Sequence, residues 1–162
     1  MKQLPVLFLL LVISAHCTLR SRNSTNESIP SLNLLLSDSL TIFNTKHVAL
    51  GKPTLLIYFS PDCELCQDEI KELLYKIDIL SNTQIYLLTP MPFTELQDFN
   101  KKYNLKHYKN ITIGYDFENA FYNYFKVPNF PCTIIYDTKM NLIRIYKKPV
   151  SPEEIKNAID NA

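Results

Sequence analysis

A three-layer α/β/α sandwich built on one mixed β-sheet is the fold that this 162-residue sequence predicts, and three observations predict it. Apolar runs of strand length alternate with amphipathic helical stretches from Thr54 to Lys102, the order that gives parallel strands joined by helical crossovers. A hairpin signal precedes that block. After it, two strand-like runs joined by a turn add antiparallel strands to the same sheet, before a last capped helix. The length allows one ordinary domain with a real hydrophobic core.

The first elements belong to export, not to the fold. Lys2 supplies a thin positive region, and the apolar run Leu4–Ile13 is too short to span a bilayer, so residues 1–17 read as a secretory signal. Cleavage after Ala15 is one outcome. Cys17 offers a second, a bacterial lipoprotein whose N-terminal cysteine is acylated, although His16 stands where a small residue is expected and Ser14 where an aliphatic one is. Residues 18–28 are polar, rich in Ser, Asn and Thr, and form a tether, leaving 29–162 as the folded domain. The expected location is extracytoplasmic: a bacterial periplasm, or the membrane surface through an N-terminal lipid. Three glycosylation sequons, at Asn23, Asn26 and Asn110, carry no weight in a bacterium.

Within the domain, Asn33–Leu36 and Thr41–Asn44 flank Ser37-Asp38-Ser39 as a hairpin. The turn Gly51-Lys52-Pro53 leads into Thr54–Phe59, whose continuous apolar character suits a central buried strand. The periodic stretch Leu65–Leu80 follows as a helix, with Cys66, Ile70, Leu73, Leu74 and Ile77 on one face and Asp68, Lys71, Glu72 and Lys76 on the other. Gln84–Thr89 is a strand closed by Pro90 and Pro92, and Thr94-Glu-Leu-Gln97 reads as a capping box opening a helix to about Lys102. Ile111–Tyr115 is a short strand and Phe117–Phe125 an aromatic helix. Thr133–Tyr136 and Leu142–Tyr146 pair through the turn Asp137–Asn141, and Ser151-Pro-Glu-Glu154 opens the last helix with a cap, a first-position proline and a capping glutamate.

Composition removes several function classes. The formal net charge is +1 and no basic block stands out, so nucleic acid has no electrostatic footprint. Only two glycines, Gly51 and Gly114, leave no Gly-rich phosphate loop of the usual kinds.

The chemistry lies in Cys63-Glu-Leu-Cys66, which sits between an apolar strand and the start of a helix. Unpaired helix N–H groups there favour a thiolate, and two thiols at this spacing close a disulfide reversibly. The same motif can be half of a zinc site, but Cys132, His47 and His107 are isolated and supply no second pair. A purely structural bridge is disfavoured too, because so short a loop gains little from closure. Pro61 shapes the loop that presents Cys63, and Asp62 is placed to cap the helix.

With Phe130-Pro131-Cys132 leading into a later strand, the sequence resembles the thioredoxin-like superfamily, and more closely the extracytoplasmic redoxins of the TlpA and AhpC/TSA type. The segment Phe59-Ser-Pro-Asp-Cys63-Glu-Leu-Cys66, the leading hairpin, and Phe130-Pro131 ahead of a hairpin with Asp137 at its turn carry the likeness, over about Ile29 to Ala162. The resemblance implies a thioredoxin-like fold and a thiol–disulfide oxidoreductase without metal or other cofactor. It also implies a cis Phe130–Pro131 bond facing the two thiols, with the Phe130 backbone pairing with substrate and its ring forming an apolar wall. Cys63 would attack a substrate disulfide and Cys66 would resolve the mixed disulfide. Asp62 and Glu64 oppose the thiolate that the helix terminus favours, which points to reduction or exchange over strong oxidation. Partners would be protein disulfides or dithiols, or a redox carrier, and an upstream thiol reductant. The domain is expected to act as a monomer.

Two departures stand out. Relatives carry a buried acid or amide near Ile57 to help the resolving thiol lose its proton; here that position is apolar, and the task falls to Glu69 or to water. Cys132 stands where relatives have Thr or Ser, and reads either as a small buried hydrophobe or as a third exchanging thiol. Two rivals remain. A thiol peroxidase is suggested by Ser60 three residues before Cys63, but Leu56 replaces the upstream proline of peroxiredoxins, and Arg144 is the only arginine of the folded region. A Cu(I) metallochaperone would use the same soft thiolates, but lacks the added histidine or wider cysteine spacing of such relatives.

Overall fold

The computed structural model describes residues 28–162; the signal segment, Cys17 and the tether up to residue 27 lie outside the described residues. In chain order the elements are β1 (Asn33–Leu36), β2 (Ile42–Asn44), β3 (Thr54–Tyr58), α1 (Glu64–Tyr75), β4 (Gln84–Thr89), α2 (Phe93–Lys102), β5 (Ile111–Tyr115), α3 (Ala120–Phe125), β6 (Cys132–Tyr136), β7 (Leu142–Tyr146) and α4 (Pro152–Asp160). The strands form one seven-stranded sheet in the order β2-β1-β5-β4-β3-β6-β7. β3, β4 and β5 run parallel, while β1, β6 and β7 pair antiparallel with their neighbours. The expected mixed sheet with a leading hairpin is therefore what forms, and the hairpin enters the sheet by pairing β1 with β5. Among the described residues no helix is long and apolar enough to cross a membrane.

β3 explains why two helical layers are needed. All five of its residues are buried, and successive side chains point to opposite faces. Leu55 and Ile57 enter one core with Ile70 and Leu73 of α1, Leu96 and Phe99 of α2, and Ile155 of α4. Leu56 and Tyr58 enter the other, with Phe121 of α3, Leu32 and Val127. The two crossovers β3–α1–β4 and β4–α2–β5 step in the same direction across the sheet, so right-handedness puts α1 and α2 on the same side.

Three local expectations change. The apolar stripe after Cys63 ends as α-helix at Tyr75 and continues to Leu80 as a 3₁₀ turn, Ile77–Leu80. α2 begins at Phe93, and no side-chain capping bond forms at its start; the Thr94–Gln97 box is not made because Pro92 already sets the entry and its carbonyl accepts the Glu95 and Leu96 N–H groups. α3 begins at Ala120 and not at Phe117. There the buried Asp116 carboxylate takes the Ala120 and Phe121 N–H groups at 2.8 and 2.9 Å, and Asn119 bends the chain with φ +52°. The Ser151–Glu154 capping box of α4 forms as read.

Gly114 has a packing reason that no turn signal announces. A Cβ at this position of β5 would stand 2.8 Å from the Leu34 Cβ on β1. Gly114→Ala is expected to cost roughly 1–3 kcal/mol through overpacking, measurable as a lowered denaturant midpoint with an unchanged slope.

Candidate active site

The register between β3 and β6 assembles the site. Tyr58 lies opposite Cys132, so the loop leaving β3 and the loop entering β6 emerge at the same end of the sheet. One carries Ser60 to Cys63, the other Phe130 and Pro131. The Phe130–Pro131 bond is cis. The Phe130 ring sits 5.1 Å from that of Tyr58, and the side chain touches both cores, bridging the end of the sheet; Cys63 borders the core shared with Phe130.

Cys63 itself, and not Asp62, occupies the N-cap of α1. Its Sγ accepts the Cys66 N–H at 3.3 Å, and its N–H donates to the Ser60 carbonyl at 3.1 Å, closing a turn over the buried Pro61. Asp62 is displaced from that role because the thiol already takes the amide a cap would serve; its side chain stays exposed, as does that of Glu64. Cys63 is half-buried while Cys66 is fully buried, and both are free thiols. An amide donor and the positive end of a 12-residue helix therefore meet the more accessible sulfur, an arrangement that suits negative charge there. Burial, and then the hydrogen bond shared with Cys63, push the Cys66 thiol far above its ordinary value, with the Ser60 backbone amide acting in the opposite sense.

One helical turn beyond Cys66, on the same face, lies Glu69. It is 4% exposed, its Oε1 accepts the Thr133 hydroxyl at 2.8 Å, and its Oε2 has no hydrogen-bond partner among the described residues. Burial raises its pKa from 4.5 to about 7, against the lowering influence of the Thr133 hydroxyl and the Val150 backbone. The spacing Cys66–Glu69 was visible in the sequence; the burial and the Thr133 partner were not, because Thr133 belongs to a strand distant in the chain.

Cys132 is placed differently. It is buried among Tyr58, Phe121 and Ile134, on the face of the sheet opposite the core that holds Cys66. Burial pushes its thiol up to about 12. The third thiol is thus separated from the pair by the sheet, and fits the role of a small buried hydrophobe. His47 and His107 are exposed and remote in the fold from one another, and among the described residues no three His, Cys, Asp or Glu side chains converge as a metal site. Arg144 stacks its guanidinium 5.9 Å from the Tyr146 ring on β7.

The sequence matches no protein-family profile and no curated protein. Solved structures do match. A secreted Mycobacterium tuberculosis disulfide oxidoreductase homologous to E. coli DsbE is 19% identical with a TM-score of 0.66, covering 80% of this chain and 95% of that one. The fold is thioredoxin-like. The same thioredoxin-like frame relates the chain to the pneumococcal exposed lipoprotein thioredoxin from Streptococcus pneumoniae, with 14% identity, a TM-score of 0.63, and coverage of 82% of this chain and 100% of the other. A peroxiredoxin-like protein from Aquifex aeolicus matches at 14% identity and a TM-score of 0.67, over 84% and 85% of the two chains. On this thioredoxin-like frame the two thiols of Cys63 and Cys66 lie at the end of the central strand, beside the cis-proline loop.

The buried Glu69 has a stability consequence. Its folded pKa lies above the ordinary value of 4.5, so the protonated carboxyl is the form that folding favours. Its contribution to stability is full below pH 4.5 and is lost as the pH rises through about 7, by on the order of 3 kcal/mol at most. Glu69→Gln removes the titration. The variant is expected to gain stability relative to the parent between pH 5 and about 8, read by urea denaturation across that range.

Proposed function

We propose that the protein is an extracytoplasmic thiol–disulfide oxidoreductase, acting as a reductase or exchanger on protein disulfides or on a redox carrier. The observation that carries this reading is the asymmetry of the pair: Cys63 is accessible and receives the Cys66 N–H at 3.3 Å, while Cys66 is sealed in the core one turn along. An attacking sulfur must be reachable and suited to negative charge, whereas a resolving sulfur needs only to reach its neighbour.

The Cys63 thiolate attacks one sulfur of a substrate disulfide. A Cys63–substrate S–S bond forms, the substrate bond breaks, and the departing sulfur leaves as a thiolate that takes up a proton. The Cys66 thiol, held protonated by burial, passes its proton to the unpartnered oxygen of Glu69 or to water. As a thiolate it attacks Cys63, releasing the second substrate thiol. The protein has lost two electrons in forming its disulfide, and the substrate disulfide has gained them as a dithiol. A thiol reductant restores the starting state. Phe130 offers its backbone and ring to the substrate beside Cys63, and Pro131 keeps that backbone turned toward it. Ser60, Pro61 and Asp62 shape the approach.

The signal-like residues 1–17 support export, and Cys17 supports a lipid anchor in the periplasm or at the cell surface. The acidic neighbours Asp62 and Glu64, both exposed, favour reduction or exchange over strong oxidation. A thiol peroxidase is disfavoured because Arg144 is engaged on Tyr146 at the sheet edge.

Cys66→Ser is expected to accumulate a mixed disulfide between Cys63 and substrate in the native compartment, identified by mass spectrometry of trapped adducts, while Cys63→Ser traps none. Trapping through Cys132, or fast peroxide consumption with slow disulfide exchange, would overturn the assignment. So would a reduction potential near the roughly −120 mV of a dedicated oxidant. Glu69→Gln is expected to slow resolution and prolong the mixed disulfide about 100-fold, the lower end of what a positioned proton-transfer group contributes, seen by quenched-flow analysis.

A further inference from the structure

Gln67 follows the buried thiol directly and has no part in the exchange steps, yet both its amide nitrogen and its amide oxygen are engaged. Its Nε2 donates to the Pro61 carbonyl at 2.7 Å, on the loop that presents Cys63. Its Oε1 accepts from the Lys102 ammonium at 3.1 Å and from the Tyr103 hydroxyl at 3.2 Å, both at the C-terminal end of α2. An aromatic path closes the circuit from the other side. The Tyr103 ring lies 4.5 Å from Phe99, and Phe99 lies 4.8 Å from Phe59, the residue that opens the same loop. Lys102 also hangs 5.2 Å over the Tyr103 ring. The loop from Phe59 to Cys63 is thus held at its start by ring packing and near its tip by one amide, and both holds end on α2.

We propose that Gln67 is a positioning residue for the attacking thiol, bracing the Cys63 loop against the end of α2 so that the sulfur stays within reach of the Cys66 N–H. The inference rests on the reading of Cys63 as the attacking sulfur. The physical argument is one of geometry. Cys63 Sγ lies 3.3 Å from the Cys66 amide nitrogen, a close contact for a sulfur acceptor, and the donor suits the sulfur to negative charge only while the loop keeps the two aligned. The Pro61 carbonyl is the last backbone acceptor of the loop before the exposed Asp62, and Gln67 is the side chain that holds it. The α2 end of the brace matters because an amide tied at one end only would follow the loop instead of fixing it.

The test uses the full reduced chain and maps which cysteine reacts with iodoacetamide across pH 5–10. Gln67→Met keeps length and volume but makes no hydrogen bond. It is expected to slow Cys63 alkylation at pH 7 by about tenfold, the scale of one lost hydrogen bond, and to move its pH profile in the alkaline direction. Tyr103→Phe removes one hydroxyl from the far end of the brace and is expected to move the profile the same way by less. The double variant is expected to match Gln67→Met alone, because the two act in series. A profile for Gln67→Met that superimposes on the parent overturns the proposal, as does full additivity with Tyr103→Phe. If Gln67→Met fails to fold, by near-ultraviolet circular dichroism, Tyr103→Phe and Lys102→Met carry the same test. Reduction of a neutral peptide disulfide by the parent protein is measured alongside. Its absence would sink the oxidoreductase reading while the alkylation profiles still decide the brace.

Discussion

The antiparallel pairing of β3 with β6 is the constraint on which the site depends. These strands are distant in the chain, and their register sets Tyr58 opposite Cys132. That single alignment decides that the loop bearing Cys63 and the loop bearing Phe130-Pro131 leave the sheet together. A shift of one residue would turn every side chain of β6 to the other face. Thr133 would then leave the Glu69 carboxylate, and Cys132 would turn toward the core that holds Cys66. Burial of both faces of β3 and β6 makes such a slip costly, since each face is filled by a different set of large apolar side chains.

Glu69 shows how the same register shapes the chemistry. A carboxyl in an apolar core is tolerated when it is protonated or hydrogen-bonded. Here the Thr133 hydroxyl satisfies one oxygen, and the other has no partner among the described residues. The result is a group whose protonation changes near neutral pH, one helical turn from the Cys66 thiol, whose pKa burial raises. The stability lost when this carboxyl ionises is the counterpart of its aptitude for taking a proton. β3 has the apolar Ile57 at the position in question, so the acid enters from the helix instead, across from β6.

The second helix contributes more than cover for the sheet. Through Phe99 and Tyr103 it packs against the root of the Cys63 loop, and through Lys102 and Tyr103 it meets Gln67. The first helix therefore presents three consecutive kinds of group near its start. Cys63 caps it, Cys66 is buried under it, and Gln67 ties it to its neighbour. Each depends on the helical spacing that places them on adjoining faces.

Much of the fold was legible because it follows from local rules. Continuous apolar character marked Thr54–Phe59 as a buried strand, short apolar segments flanking turn residues gave the hairpin strands Asn33–Leu36 and Leu142–Tyr146, and Ser151-Pro-Glu-Glu154 marked the start of the last helix. Misjudged boundaries had competing local partners. Pro92 pre-empted the cap offered by Thr94, and the buried Asp116 claimed the amides at the start of α3. The two thiols and the cis-proline segment were readable as motifs, since spacing and neighbouring residue types are properties of the chain itself. Tertiary structure alone decided which residues meet across it: the sheet face on which Cys132 lies, the Thr133 hydroxyl on Glu69, the tight approach of Leu34 to Gly114, and the amide of Gln67 between Pro61 and α2. Those contacts join residues far apart in sequence, and only strand register and helix packing bring them within hydrogen-bonding or van der Waals reach.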